Sequence, residues 1–438
     1  MTPTTVTIQD GTPPPDVRGA LDFSVLVEPT RVHGSLYTRP DIFNLEMERL
    51  FQTGWVFLGH ESELPDPGDF ITRRIGGQPI IVARGRDGAI SAMYNRCSHR
   101  GNLVCRADSG NERYLHCPYH GWTFGSDGSL MGVPQKTGYG ERSKELTADL
   151  GLAQIGELDS YGGFLFGQLT SSDTSLTDHL GGATESIDRL LELSPNGQVD
   201  LNLGWVKHRI RANWKTIVEN QVDGYHARYV HQSVYSAIAP ARVDYGAGEL
   251  QLSVRDLGGG HSDIDYRDEY RRLDREFGWF GQIERGKVPA YAAALEQTHG
   301  ADKAHDVLLI GPPHTVIFPS LFIAELNLMM FEPVGPEETI VHTTPICLSG
   351  APEMNERIRR RAEGAMGPSG FLIADDADMG ERTQLGLAAG EPEWIELSRG
   401  IDTDEIVDGQ LINHDESAET SQRAFWRHYS TMMLGASR

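Results

Sequence analysis

Residues 97–120 read CSHRGNLVCRADSGNERYLHCPYH and carry four metal-binding side chains in two short loops. Cys97 and His99 form the first loop, Cys117 and His120 the second, with seventeen residues between His99 and Cys117. Each loop pairs one thiol with one imidazole. That set suits a [2Fe–2S] cluster in which two cysteines hold one iron and two histidines hold the other. Neutral imidazoles raise the potential of such a cluster above that of an all-cysteine one. The competing reading is a structural zinc site, which also takes two Cys and two His. Zinc ligands are ordinarily paired like with like, however, as Cys-x-x-Cys and His-x3–5-His. Gly101 and Gly121 follow the two loops, and glycine lets the backbone approach a cluster closely enough for N–H groups to reach its sulfurs.

Outward from this stretch, the chain from about Trp55 to Leu169 alternates apolar runs with tight turns. DFITRRI leads into Gly76-Gly77, and PIIVARG turns at Arg86-Asp87-Gly88 into AISAMYN. HCPYHGWTF turns at Ser126-Asp127-Gly128, and YGGFLFGQL closes the region. Short strands joined by Asp-Gly turns predict a small antiparallel β domain, with both loops at strand ends. After Thr170 the texture changes. SLTDHLGGATESIDRLLEL reads as a helix with Ser175 as its N-cap. GELQLSVRDL reads as a strand and LNLMMFEPVGPEETIVHTTPICL as a long antiparallel hairpin. APEMNERIRRRAEGAMG and GFLIADDADMGERTQLGL read as helices. Strands and helices segregate instead of alternating, so the expected class is α+β.

At 438 residues the chain has room for two or three domains. A hydrophobic fraction of 39% and a charged fraction of 23% are those of an ordinary globular protein. The formal charge of −23 argues against nucleic acid and anionic membrane as partners. The N-terminus has neither a basic start nor an apolar run, so it does not read as a signal peptide. The longest apolar stretch, residues 315–331, is interrupted by Pro319, Glu325 and Asn327 and does not read as a membrane span. Of four cysteines, Cys97 and Cys117 are assigned to the cluster, leaving Cys105 and Cys347. No disulfide framework is expected, which suits a cytoplasmic location. Residues 71–122 hold eight arginines against three acids, an excess of five positive charges inside an acidic chain. That asymmetry suggests docking of this region, through Arg73 and Arg74 among others, on an acidic neighbouring subunit or ferredoxin.

The second loop, Cys117-Pro118-Tyr119-His120, has no spare cysteine. Rieske proteins of respiratory complexes carry an additional disulfide-forming Cys in each loop, so the resemblance is to Rieske ferredoxins and Rieske oxygenases. A second constellation narrows it. NWKTIVENQVDGYHARYVH, residues 213–231, contains Asp223, His226 and His231. Alone, Asp-x2-His-x4-His is equally a helix with two half-exposed histidines. Downstream of a cluster it resembles the mononuclear-iron motif of Rieske non-haem iron aromatic ring-hydroxylating dioxygenase α subunits. Asn213-Trp214-Lys215, Glu219-Asn220 and Asp223-x-Tyr225-His226 carry the match. Iron(II) that activates O2 is held by two His and one carboxylate, with positions left open. Histidines five residues apart lie about 140° apart around an ideal helix, so a helix break is expected near Arg228–Val230. The family takes its carboxylate after a Gly-Pro-x-Gly-Phe phrase. Here that phrase is Gly367–Phe371, followed by Asp375 and Asp376. The resemblance assigns the ligand to Asp376 and leaves Asp375 as a solvated acid. It gives Asp223 the catalytic role of linking a ligand His to a cluster His of the neighbouring subunit.

The resemblance implies an all-β Rieske domain at 41–169 and a mononuclear-iron catalytic domain at 170–438. The latter is expected to have an antiparallel sheet flanked by helices (helix-grip, START-like). Residues 1–40, with an extended segment at Pro13–Pro15, would form an arm packing on the catalytic domain. The implied protein is the terminal oxygenase of a multicomponent dioxygenase. Its cofactors would be a Rieske [2Fe–2S] cluster, mononuclear Fe(II) and O2 as co-substrate. NAD(P)H would supply electrons indirectly through a reductase, a ferredoxin or both, and the product would be an aromatic cis-dihydrodiol. Assembly as an α3 trimer, or as α3β3 with a small β subunit, is implied too. Family pocket positions fall on Gln221, Ala227, His314, Met366 and Leu372. Gln221 and His314 are polar, which suits a carboxylated or hydroxylated aromatic. The rival readings are a Rieske monooxygenase with the same metals, a Rieske electron carrier without catalytic iron, and a zinc-stabilised binding protein.

Overall fold

The cluster region is built from strands whose apolar residues point into a small core. The structure is a computed structural model that describes residues 21–146, 150–238, 252–273 and 285–435. The expected arm segment Pro13–Pro15 and the first four residues of GELQLSVRDL lie outside the described residues. A four-stranded antiparallel sheet runs in the order Ile90–Tyr94, Gln78–Arg84, Asp69–Ile75, Ser109–Asn111. A second sheet pairs Glu157–Tyr161, Phe164–Gln168 and Val56–His60. A third pairs Leu130–Gly132, Thr123–Phe124 and Leu115–His116. Phe70, Ile81, Met93, Leu115 and Phe124 fill the core between the first and third sheets, and Cys97, Cys117 and Trp122 are packed into the same cluster. Full burial of such a side chain contributes about 1.5–3 kcal/mol, so the floor of the metal loops is part of the hydrophobic core.

The second half is organised by a nine-stranded antiparallel sheet. Its order is Val206–Ile210, Glu338–Pro345, Asn327–Gly335, Leu321–Ala324, His314–Ile317, His261–Asp265, Ser253–Gly258, Gln410–Asn413, Glu405–Val407. The hairpin expected at residues 326–348 is its longest pairing. Helix Thr420–Leu434 lies across Ser253–Gly258 and His261–Asp265, burying Phe425, Trp426, Tyr429 and Met433. Helix Trp214–Gln221 packs on the strands Leu321–Ala324 and Asn327–Gly335, and helix Ile373–Leu387 packs on that helix. Gly380 sets the last approach. A Cβ there would meet Ile217 Cδ1 at 2.9 Å, so a side chain would force the buried Ile217 side chain to repack. At the other end of the chain, Val27–Glu28 and Arg31–His33 extend into a small sheet with Trp394–Glu396.

Two helices are shorter than their sequence patterns suggest. Ser175 does cap its helix, its side chain accepting from the Asp178 N–H, but the chain kinks at Gly181 (φ 46°) and restarts as Thr184–Glu192. Consecutive glycines at 181 and 182 remove the steric bias for αR that would carry the helix through. Residues 352–366 form a helix only over Pro352–Arg361, followed by a wider turn over Ala362–Met366. Among the described residues no helix is long and apolar enough to cross a membrane.

Candidate metal centres

The two cluster loops share one backbone design. The Cys97 N–H donates to the Asn102 carbonyl (2.9 Å) and the Gly101 N–H donates back to the Cys97 carbonyl (2.9 Å). Cys117 with Trp122 (2.8 Å) and Gly121 with Cys117 (3.0 Å) repeat the pattern. Both turns need a left-handed residue five positions into the loop, and Gly101 (φ 72°) and Gly121 (φ 70°) supply it. The loops are therefore equivalent although the histidine stands second after Cys97 and third after Cys117. The rings of His99 and His120 lie 4.6 Å apart, centroid to centroid, and His99 stacks on Trp122 at 5.0 Å with planes 3° apart.

The donor set fits a cluster. Both thiols are buried and free. Burial pushes the Cys97 thiol up, while the backbone N–H groups of His99 and Arg100 aimed at its sulfur pull the other way. Burial, with the neighbouring His120 and Arg100, holds His99 below its ordinary value and so favours the neutral ring. Its Nδ1 is buried without a hydrogen-bond partner. Among the described residues the one group of three or more ligand atoms within 4.8 Å of one another lies elsewhere, at His226, His231 and Asp376.

That second group arises from a helix that stops and restarts. Asn213 caps Trp214–Gln221 by accepting from the Lys215 N–H, and Val222–His226 is a turn. Asp223 Oδ1 accepts from the N–H groups of Tyr225 (2.7 Å) and His226 (3.2 Å), which fixes the turn. A short helix, Ala227–Val230, ends at His231 (φ −93°, ψ 25°), and a new one begins at Gln232. The break thus falls one residue after Arg228–Val230 and rotates His231 onto the same side as His226. From the facing helix, Asp376 Oδ1 lies 3.4 Å from His226 Nε2 and 3.2 Å from His231 Nε2. Ligands about 2.0–2.2 Å from a divalent transition metal are separated by such distances when they occupy adjacent coordination positions.

Electrostatics agree with a cation site. His226 is pulled down by burial, but the carboxylates of Asp223 and Asp376 outweigh this and raise its pKa to about 9. Burial works to raise the Asp376 carboxyl, and the two histidines outweigh it and hold it below its usual value. Asp376 Oδ1 and both Nδ1 atoms are buried without a hydrogen-bond partner. Asp375 is solvated on one side only. Its side chain is only 37% exposed and its Oδ2 is buried, facing His231 Nδ1 at 3.6 Å.

The two polar pocket positions expected from the sequence are engaged within the chain. Met366 is buried, and Ala227 and Leu372 are half-buried. Gln221 is turned back, donating to the Ile217 carbonyl (3.0 Å) and to Asn220 (3.1 Å). His314 donates from Nε2 to the Gln221 carbonyl (2.8 Å) and is held neutral chiefly by burial. The arginine patch also needs correction. Arg73 is buried, pairs with Glu63 at 2.7 Å and lies over Trp205. Arg74 faces Glu332 of the same chain at 3.8 Å. Arg74 stays exposed despite that approach, as do Arg86, Arg96, Arg100, Arg106 and Arg113.

Two motif residues that the sequence offered only as matches, Lys215 and Glu219, join residues from elsewhere in the chain in a buried polar layer beneath the turn Val222–His226. Lys215 and Glu46, Glu219, Tyr37, Trp426 and Tyr429 are its members. Glu219 accepts from Tyr37 Oη (2.8 Å) and Trp426 Nε1. Burial pushes its pKa from 4.5 up to about 7, although both donors and Lys215 pull it down. Between those two values the folded protein keeps a proton that the unfolded chain has released. The stability contributed by this group therefore falls as pH rises from about 4.5 to about 7. The melting temperature of the wild type should drop relative to that of Glu219→Gln across that window. Parallel curves for the two proteins would refute the assignment.

Comparison with known proteins gives the same outline. Residues 54–150 match the Rieske [2Fe–2S] domain family, and residues 199–435 match the ring hydroxylating alpha subunit (catalytic domain) family. The anthranilate 1,2-dioxygenase large subunit of Acinetobacter baylyi is 31% identical over 88% of this chain and 83% of its own length. The toluate 1,2-dioxygenase subunit alpha of Pseudomonas putida is 29% identical over 91% and 90%. The N,N-dimethyl phenylurea N-demethylase subunit alpha of a Sphingobium species is 29% identical over 89% and 88%. Among solved structures, naphthalene 1,2-dioxygenase from a Rhodococcus species superposes with a TM-score of 0.78 at 28% identity, covering 93% of this chain and 95% of that one. The chain belongs to the ring-hydroxylating Rieske oxygenase α-subunit family. The pairing of a Rieske domain with this catalytic domain implies a [2Fe–2S] cluster and a mononuclear iron.

Proposed function

We propose that the chain is the terminal oxygenase of a multicomponent dioxygenase that cis-dihydroxylates a carboxylated aromatic ring. The observation that carries this reading is the convergence of His226 Nε2 and His231 Nε2 on Asp376 Oδ1, in a chain that also carries the paired Cys/His loops. Cys97, His99, Cys117 and His120 would hold the cluster, and His226, His231 and Asp376 the iron. When bound, the two centres supply stepwise reduction and O2 activation. The protein's part is to position and to exclude. Asp223 fixes the turn through Oδ1 and leaves Oδ2 free to orient His226 Nδ1, 3.7 Å away. Met366, Leu372 and Ala227 give the substrate an apolar wall. His314, neutral and already donating to a backbone carbonyl, acts as a spacer beside the pocket and not as a cation for the carboxylate. The relatives that act on anthranilate and toluate support a carboxylated ring. Their designation as large or alpha subunits supports a smaller partner subunit, and membership of this family supports electron-supplying partners and a trimer-based assembly.

A second reading, monooxygenation, is favoured by the N-demethylase relative. Labelled oxygen separates the two. Reduced protein given 18O2 and a benzoate-type substrate should yield a cis-diol carrying both 18O atoms. A phenol or aldehyde with one labelled atom, or none, would transfer the assignment to the monooxygenase reading.

A further inference from the structure

The two histidines beside Asp376 are treated alike on their far sides. His226 turns Nδ1 toward Asp223 Oδ2 at 3.7 Å, and His231 turns Nδ1 toward Asp375 Oδ2 at 3.6 Å. Both Nδ1 atoms and Asp375 Oδ2 are buried without a hydrogen-bond partner. A buried donor or acceptor left unpaired is costly. Here an orphan ring nitrogen and an orphan carboxylate oxygen face each other, a few tenths of an ångström beyond hydrogen-bond range. Neighbouring residues on a helix point about 100° apart. Asp376 accordingly reaches the Nε2 side of His231 while Asp375 reaches its Nδ1 side. The need for a second anchor is also local. His231 sits where one short helix ends and the next begins, so no continuous helix turn holds its ring.

We propose that Asp375 is a positioning residue of the iron site, accepting the Nδ1–H of His231 and so presenting the Nε2 lone pair to the metal. It is the counterpart, for His231, of what Asp223 does for His226. A carboxylate behind a ligand imidazole fixes its tautomer and ring orientation and raises its basicity. The inference rests on the reading of His226, His231 and Asp376 as iron ligands.

The test is Fe(II) binding by cluster-loaded protein emptied of mononuclear iron, in competition with a chelator. Asp375→Ala should weaken Fe(II) binding about 10–100-fold, with the cluster spectrum and melting temperature unchanged. Asp375→Asn should retain most of the affinity, because its amide oxygen still accepts the same proton. Asp378→Ala is the control for net charge: Asp378 lies on the same helix, pairs with Arg382, is 53% exposed, and should leave binding unchanged. The EPR spectrum of the ferrous site with nitric oxide should change rhombicity in Asp375→Ala and not in Asp375→Asn. Should alanine unsettle the helix, Asp375→Leu keeps the volume without the acceptor and must show the same weakening. Wild-type affinity and spectrum in the alanine or leucine variant would overturn the proposal. So would equal losses in Asp375→Ala and Asp375→Asn, or an equal loss in Asp378→Ala. If the wild type itself takes up no Fe(II) beyond its cluster, the iron reading of the site fails instead.

Discussion

Asp376→Ala will leave the cluster in place and empty the mononuclear site. Iron analysis should fall from about three atoms per chain to about two, a cluster plus one iron becoming a cluster alone. The visible and EPR signatures of the reduced cluster should be unchanged. The reason is geometric. Asp376 Oδ1 is the atom on which both Nε2 atoms converge, at 3.4 and 3.2 Å. It is also buried without any other partner. Its removal leaves two neutral donors and takes away the charge that most directly opposes a divalent cation. Loss of an outer partner behind a ligand costs about 10–100-fold in affinity or activity, and loss of a ligand should exceed the upper end of that range. Product formation should fall more than about 100-fold, while reduction of the cluster by its electron donor continues. The same measurement separates the rival readings. An electron carrier would show about two irons in wild type and variant alike, and a zinc protein would show neither iron nor colour.

The parts of this site legible in the sequence are those written in a few consecutive residues. Cys97, His99, Cys117 and His120 declare themselves by alternation, and the five-residue spacing of His226 and His231 demands a broken helix, which the structure places at His231. Partnerships across the chain are not written that way. Nothing in Val206–Ile210 says that its neighbour in the sheet is Glu338–Pro345. Helix Thr420–Leu434 looks unremarkable because Thr420, Ser421, Gln422 and Arg423 stand on buried ground. Arg73 reads as a surface cation until Glu63 and Trp205 are seen to enclose it. Asp375 reads as a solvated acid because exposure is a property of the fold and not of the residue type. The charge pattern was similarly incomplete. It located a basic region, but only the structure separates arginines spent within the chain from those presented outside it.

Lys215 is the strongest case of a residue whose role the sequence hides, and replacing it carries the largest expected loss of stability. Its ammonium and the Glu46 carboxylate are both fully buried, 2.5 Å apart. Lys215 Nζ also lies 5.1–5.8 Å from the ring centroids of Trp214, Tyr37 and Tyr429. Glu46 accepts, in addition, from Trp214 Nε1 (2.9 Å) and Tyr429 Oη (2.6 Å). Burial works to lower the Lys215 pKa, and Glu46 opposes it. The pair therefore ties the N-terminal helix Pro40–Glu46, the helix leading to the iron-site turn and the C-terminal helix into one unit. Lys215→Met would fill the space but leave Glu46 as a buried, unpaired charge. Breaking a buried pair in this way costs about 3–5 kcal/mol. Chemical denaturation followed by circular dichroism should register a loss of that order, against the about 0–1 kcal/mol of an exposed pair. Because Lys215 lies on the helix that ends two residues before Asp223, the variant should also release mononuclear iron at denaturant concentrations where the cluster is still intact. A loss below about 1 kcal/mol, with both metal centres released together, would mean that the surrounding aromatic rings, and not the ion pair, hold this layer in place.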